Sequence, residues 1–402
     1  MQSLLLILSN QRYFAPVWLF ASLNIIIGTW VLYLPTVKAQ LVLDDGQLGI
    51  AIFCFSAGLL SIIPFSAALL RKYGLGRMSL IAICIFALIM CLPILMPTYL
   101  ALCVTLFCCG IFASLTDIGM NALVSELEQE DGVSIMSAAH GFFSLGGVIG
   151  AGIGSLLIGQ LTLDVYHFAG VAAFVIVSNL LLASSYFHRA GKEGDRGESG
   201  KFRLGLIRPL LGLAVLAVII MGSEGAIEHW SKLYLLDVVG ITSDQVAGFG
   251  FVVFSAAMTL GRFLGDGISE RFGSLNIVIG GTLLAATGFG LVLTAGFWPA
   301  MVGFMLVGCG FSVIIPELFR LAGKAKGVSA AEGISVVAGL GYAGFLASPA
   351  LLGMLSDWSS LKLSFTALLV AALVAASIGG VLKARRRGAN PSTGSGGAAG
   401  AG

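Results

Sequence analysis

The chain has 402 residues, 57% of them hydrophobic, 10% charged and 55 of them glycine, with a mean hydropathy of +0.99. Soluble domains carry roughly 25% charged residues, so an ordinary water-exposed surface is excluded. The net charge of +2 comes from cations scattered between apolar runs, which excludes the clustered basic face that nucleic acid requires.

Composition therefore predicts an all-α membrane protein. The opening MQSLLLILS lacks a basic n-region and a small-residue cleavage site, so no signal peptide is expected. A bilayer-spanning helix needs about 20 mostly apolar residues. Twelve such runs follow, near 13–37, 47–70, 77–96, 98–124, 137–160, 165–187, 208–236, 244–267, 274–294, 297–320, 331–354 and 361–382. The interruption 188–207 is glycine-rich and charged and predicts a flexible cytoplasmic linker. It divides the chain into six-helix bundles over 1–187 and 208–387, and the low-complexity stretch 388–402 is expected to be a disordered tail.

Lys/Arg placement tests the count independently. With the N-terminus inside, 19 of the 22 cations fall on the cytoplasmic side, and only Lys38, Lys232 and Lys362 fall outside. Both termini are thus expected in the cytoplasm, with the chain in a bacterial inner membrane among its lipids. All seven cysteines lie in apolar stretches without CxxC or metal-ligand spacing, and they read as small hydrophobes. No metal or cofactor is expected. There is no HExxH or GxSxG, so no enzyme chemistry is expected either.

The two halves resemble each other. Asp45, Gly49, Phe55-Ser56-Ala57 and Gly74 match Asp244, Gly248, Phe254-Ser255-Ala256 and Gly273 at one offset. With a one-residue slip Asn24 pairs with Glu224, Trp30 with Trp230 and Asp117 with Glu317. Parallel repeats of this kind are a transporter architecture with the site between the halves.

On these residues the chain resembles a major facilitator superfamily transporter from about 12 to 387. The family's loop motif G-x-x-x-D-R-x-G-[RK]-R is similar to Asp266, Glu270, Arg271 and Gly273, with Glu for the acid and Asp for the first glycine. The first copy, Arg71-Lys72-Tyr73-Gly74, has a cation where the acid belongs. The resemblance implies two pseudo-symmetric six-helix bundles, alternating access, and a conformational latch at Glu270 and Arg271. The polar fourth helix and glycine-rich fifth helix resemble the fucose-permease neighbourhood. The fifth helix lacks the Gly-Pro typical of drug/proton antiporters.

Ionisable groups inside the membrane are costly and so point to function. Asp117 shares a helix face with Asn121, Ser114 and Gly110, and reads as a proton carrier or as a structural hydrogen bond. Glu224, flanked by Gly222 and Gly225, shares a face with Glu228 and is a second proton-coupling candidate. Glu228 and His229 read as solute contacts or as solvated groups near the outer interface. Asn24 with Gly28 offers donors and acceptors to a polar ligand. Trp30, Trp230 and Tyr234 would stack on a ring, or else form an interfacial aromatic belt. His140 and Glu317 are inner-gate candidates. Arg262 and Asp266, four apart, read as an ion pair attached to the latch. The segment Gly339-Leu-Gly341-Tyr-Ala-Gly344 matches GxGxxG but has no preceding strand, so a dinucleotide site is rejected.

The expected function is proton-coupled symport of a small, polar, neutral solute such as a sugar, on the argument that no intramembrane Lys or Arg stands ready for an anion. One chain holds a complete pathway, so a monomer suffices. The rival is a proton-coupled antiporter exporting cationic or amphiphilic compounds, with Asp117 and Glu224 as counter-charge.

Overall fold

The computed structural model describes residues 2–133, 135–190, 207–325 and 330–388. The expected linker falls almost wholly outside the described residues, and so does the tail from 389 on. The described chain is helical throughout, without a strand: α1 (Gln2–Ser9), α2 (Gln11–Val31), α3 (Leu34–Leu41), α4 (Asp45–Tyr73), α5 (Leu75–Ile89), α6 (Tyr99–Asp131), α7 (Met136–Leu157), α8 (Asp164–Leu182), α9 (Ile207–Asp237), α10 (Asp244–Phe272), α11 (Ser274–Val292), α12 (Phe297–Phe311), α13 (Ile314–Gly323), α14 (Ala330–Asp357) and α15 (Leu361–Gly388). Twelve spans are long and apolar enough to cross a bilayer, which agrees with the count read from hydropathy.

Caps set the ends. Asp44 and Gln47 form a reciprocal capping box at the start of α4, and Thr98 caps α6, which stops at Gly132 with φ 64°. Two expected spans are broken. The first divides into α2 and α3 at Leu32–Tyr33 with Pro35 in the first turn of α3, and the tenth divides into α12 and α13 at Ser312–Val313 ahead of Pro316. Proline supplies no backbone donor, so each break leaves carbonyls open to outside partners. The opening run forms the short helix α1, packed on α2.

Within each half the helices close on one another through glycine. Gly58 of α4 abuts the Phe107 carbonyl of α6 while Gly110 of α6 abuts that of Phe55 on α4. Gly146 and Gly150 of α7 lie against the Ala21 and Ile25 carbonyls of α2, so the glycines of the fifth span serve close helix approach.

The halves meet along α4–α14 and α7–α10. We call the end bordered by residues 190 and 207 the near end. At the opposite, far end several polar ties cross between halves. Asp357 accepts from the backbone N–H of Asp45 and Gly46 at 3.1 and 2.9 Å. Ser356 donates to Asp45 at 2.5 Å, and Gln245 donates to the Ile158 carbonyl at 3.1 Å. Lys38 pairs with Asp45 at 2.5 Å and with Asp237 of the other half at 3.4 Å. Burial works against the Lys38 charge, but Asp45 and Asp237 outweigh it and raise its pKa above the ordinary lysine value. Its raised pKa makes this tie fully present below the ordinary lysine range and lost as pH climbs through the folded-state value. Lys232, expected from the sequence on the outer side near the end of its span, is 3% exposed within α9. It donates to the Leu32 carbonyl at the α2–α3 break at 2.6 Å and pairs with Asp244 at 2.8 Å.

Candidate functional site

The interior polar groups come from both halves. Asp117 and Asn121 sit on α6, with the Asn121 amide donating to the Asp117 carbonyl at 2.8 Å and to its carboxylate at 3.3 Å. The face they are expected to share divides: Asp117 and Asn121 keep partial exposure, while Ser114 and Gly110 are buried, Gly110 against α4. From α9 comes Glu224, which accepts from Arg262 of α10 at 2.8 Å. The same guanidinium donates to Ser144 of α7 at 2.6 Å, so Arg262 ties both halves to Glu224.

Helical spacing assigns Arg262 to the loop latch with Asp266; the structure shows its contacts with Glu224 and Ser144, and the Asp266 side chain lies outside the described residues. The expected lack of any Lys or Arg inside the membrane segments fails: Arg262 lies inside, paired with Glu224, and Lys232 is buried within α9, paired with Asp244. The Glu270 side chain also lies outside the described residues, and Arg271 is exposed with its guanidinium 5.6 Å from the Phe272 ring.

Glu228 and His229 are partly exposed on α9. His229 Nδ1 lies 2.7 Å from the Gly225 carbonyl. A carbonyl only accepts, so Nδ1 carries the proton and Nε2 of the neutral ring is an acceptor. His140 at the start of α7 is exposed, edge-on to Phe20 at 5.3 Å and within electrostatic reach of Arg262.

Three further expectations change. Tyr234 is fully buried in the second half, its ring 4.3 Å from Phe365 and its hydroxyl donating to the Val292 carbonyl at 3.1 Å. It is neither a solute contact nor part of an interfacial belt. Trp230 is also fully buried, with Gly353 closely packed on its ring. Asn24 is 7% exposed and its amide donates to the Phe143 carbonyl at 2.9 Å, so its donor joins α2 to α7 and only its oxygen is left unpaired. Tyr234→Phe is accordingly expected to lower thermal stability by about 1 kcal/mol, one hydrogen bond, and to leave solute affinity unchanged in a binding titration. Glu317, the inner-gate candidate of the second half, is fully buried and pairs with Arg320 of its own helix at 3.0 Å.

Sequence reading missed Tyr342. It lies in the glycine-rich segment rejected as a dinucleotide motif, is 53% exposed on α14, and stands within electrostatic reach of Asp117, Glu224 and Arg262. The signal was available: a lone phenol among glycines in a spanning helix. Ser144, the other missed residue, gave no signal. Among the described residues no group of three His, Cys, Asp or Glu is placed to hold a metal.

The family profile of the Major Facilitator Superfamily matches residues 17–328. An uncharacterized MFS-type transporter of Yersinia pestis is 32% identical over 341 residues, covering 84% of this chain and 87% of the relative. The crystal structure of a mutant of the nucleoside transporter NupG superposes with TM-score 0.74 at 14% identity, over 94% of this chain and 98% of that one. A bacterial homolog of the human lysosomal transporter Spinster, inward-facing and unoccupied, superposes with TM-score 0.66 at 15% identity, over 92% and 97%.

Proposed function

Since the chain belongs to the major facilitator superfamily, and is thus a multi-pass membrane transporter working by alternating access rather than an enzyme, we propose that it couples movement of a small polar solute to protons. The observation that carries this reading is Asp117: a carboxylate inside a spanning helix whose hydrogen-bond partner is the amide of Asn121, with no cation against it among the described residues. An acid in that setting is suited to take up and release a proton. Glu224, the other coupling candidate, has a weaker claim because Arg262 already balances its charge.

Symport of a neutral solute such as a sugar fits the unpaired acceptors of the interior. Antiport of a cationic compound is the second reading, and the unpartnered Glu228 favours it. The concentration of Lys and Arg at the near end supports placing that end, and both termini, in the bacterial cytoplasm. The ties at the far end then seal the outside, and solute reaches the interior from within.

A thermal-shift screen of purified protein against sugars, nucleosides, amino acids, carboxylates and lipophilic cations tests the solute class, because any ligand of the folded state raises apparent stability by RT ln(1 + [L]/Kd). Flux of the best ligand into proteoliposomes under an imposed proton gradient tests the coupling. Stabilisation without gradient-driven flux would refute it.

A further inference from the structure

The seven cysteines read from the sequence as small hydrophobes, and the structure brings two of them into contact. Cys54 of α4 and Cys103 of α6 are hydrogen-bonded through their thiols, and both are half-buried. The backbone sets their meeting. One turn further along both helices, Gly58 packs on the Phe107 carbonyl so closely that no Cβ would fit. On the other side the hydroxyl of Tyr99, in the first turn of α6, donates to the Gln47 carbonyl of α4 at 3.2 Å. The two thiols face each other between these contacts, where the helices approach through small residues. A disulfide needs Cβ atoms about 3.5–4.5 Å apart. A pair that already touches through sulfur, on helices this close, reaches that geometry by side-chain rotation.

The hydrogen bonds run in one direction. The Gln47 carbonyl only accepts, so the Tyr99 O–H points at it. The Tyr99 oxygen is then left to accept from Cys103, to which it is also hydrogen-bonded. With its own S–H directed at Tyr99, the Cys103 sulfur accepts from Cys54. Cys103 is the thiol nearer a helix start at the far end, and it has a proton path through the partly exposed Tyr99. Cys54 lies deeper along its own helix, with its S–H aimed at the Cys103 sulfur.

We propose that Cys54 and Cys103 form a covalent modification site, a dithiol toward the far end that a disulfide-bearing oxidant closes to an intramolecular disulfide, with Cys103 the attacking and Cys54 the resolving thiol. The Cys103 proton leaves through Tyr99, and the thiolate attacks one sulfur of the oxidant RS–SR, giving Cys103–S–SR and RS⁻. Cys54, deprotonated in turn, attacks the Cys103 sulfur and expels the second RS⁻. The chain loses two electrons and two protons, and the oxidant is reduced to two RSH. Because α4 and α6 belong to the same half, the bond leaves the halves free to move against each other. It restrains the long segment between the two cysteines in the unfolded chain, and it depends neither on the solute nor on proton coupling.

The test is oxidation of the purified full chain by bis(2-hydroxyethyl) disulfide, a small neutral oxidant, followed by alkylation of the remaining thiols and non-reducing peptide mapping. The folded wild type is expected to close Cys54 to Cys103 ahead of any pairing that involves the more exposed Cys108 or Cys309, with reversal by dithiothreitol and a higher apparent melting temperature in the closed form. Cys54→Ser should stop at a mixed disulfide on Cys103, because the resolving thiol is gone, and Cys103→Ser should leave Cys54 free. Neither variant should gain stability on oxidation. Absence of the Cys54–Cys103 disulfide from the folded chain, or its formation only after unfolding in detergent and heat, would overturn the site. A mixed disulfide that gathers on Cys54 in Cys103→Ser would overturn the order of attack, and closure at the wild-type rate in Tyr99→Phe would overturn the proton path. The wild-type measurement needs no substitution, so it decides the site even if a serine variant fails to purify.

Discussion

Asp117→Asn is expected to abolish proton-driven accumulation while leaving solute exchange within a few fold of the wild-type rate. The two side chains are nearly the same size, and the amide oxygen can still accept from Asn121 as the carboxylate does, so the local packing of α6 has no reason to change. What is lost is the exchangeable proton. One coupled proton across one pH unit supports about tenfold accumulation, about 1.4 kcal/mol, and the variant should fall to no accumulation at all. Exchange of labelled for unlabelled solute needs no net proton movement and should persist. The assay is gradient-driven uptake and counterflow in the same proteoliposome preparation. Loss of both would make Asp117 a binding or folding residue and remove the observation on which proton coupling rests.

The number of spans was legible because each is a run of apolar residues of bilayer length, and the polar interior was legible because Asp117, Glu224 and Glu228 stand out against such runs. The breaks at Leu32–Tyr33 and Ser312–Val313 were not. Both lie inside runs that stay apolar; Pro35 and Pro316 follow them, but Pro16, Pro64 and Pro349 lie within continuous helices, so proline alone does not separate a broken span from a continuous one. Tyr234 and Trp230 were misread for a related reason. In a membrane, apolar side chains face lipid and protein core alike, so hydropathy does not separate a belt from a buried ring; contacts with Phe365 and Gly353 do. Arg262 is matched in sequence to its nearest acidic neighbour, Asp266, because spacing along one helix is all that a sequence offers. Glu224 lies on another helix, and only packing of α9 against α10 brings it within 2.8 Å. Lys232 follows the same rule: its partners come from the α2–α3 break and from the start of α10.

Lys232→Met is expected to open the far end of the molecule. Methionine keeps most of the apolar stem and deletes the ammonium, so the effect isolates two polar contacts of unequal weight. Asp244 is 54% exposed at its side chain and belongs to the same half as Lys232; water replaces its partner, and the contact has no reason to change when the halves move. The Leu32 carbonyl belongs to the other half, and it loses a donor held by an ammonium that is 3% exposed. Leaving a buried acceptor unpaired costs about 1–3 kcal/mol, and that cost falls only on the state in which the far ends meet. A differential of this size changes the ratio of the two states by about 5–150-fold. Spin labels at Val42 and Trp358, both highly exposed on opposite halves of the far end, in a background with the native cysteines replaced, should report a longer-distance population in Lys232→Met. The Lys38 ties cannot substitute, because Asp237 is 47% and Lys38 23% exposed, and such a surface pair contributes about 0–1 kcal/mol. An unchanged distance distribution with a lowered melting temperature would mean that Lys232 merely stabilises the second half, and that the seal depends instead on the Asp45, Ser356 and Asp357 contacts between α4 and α14.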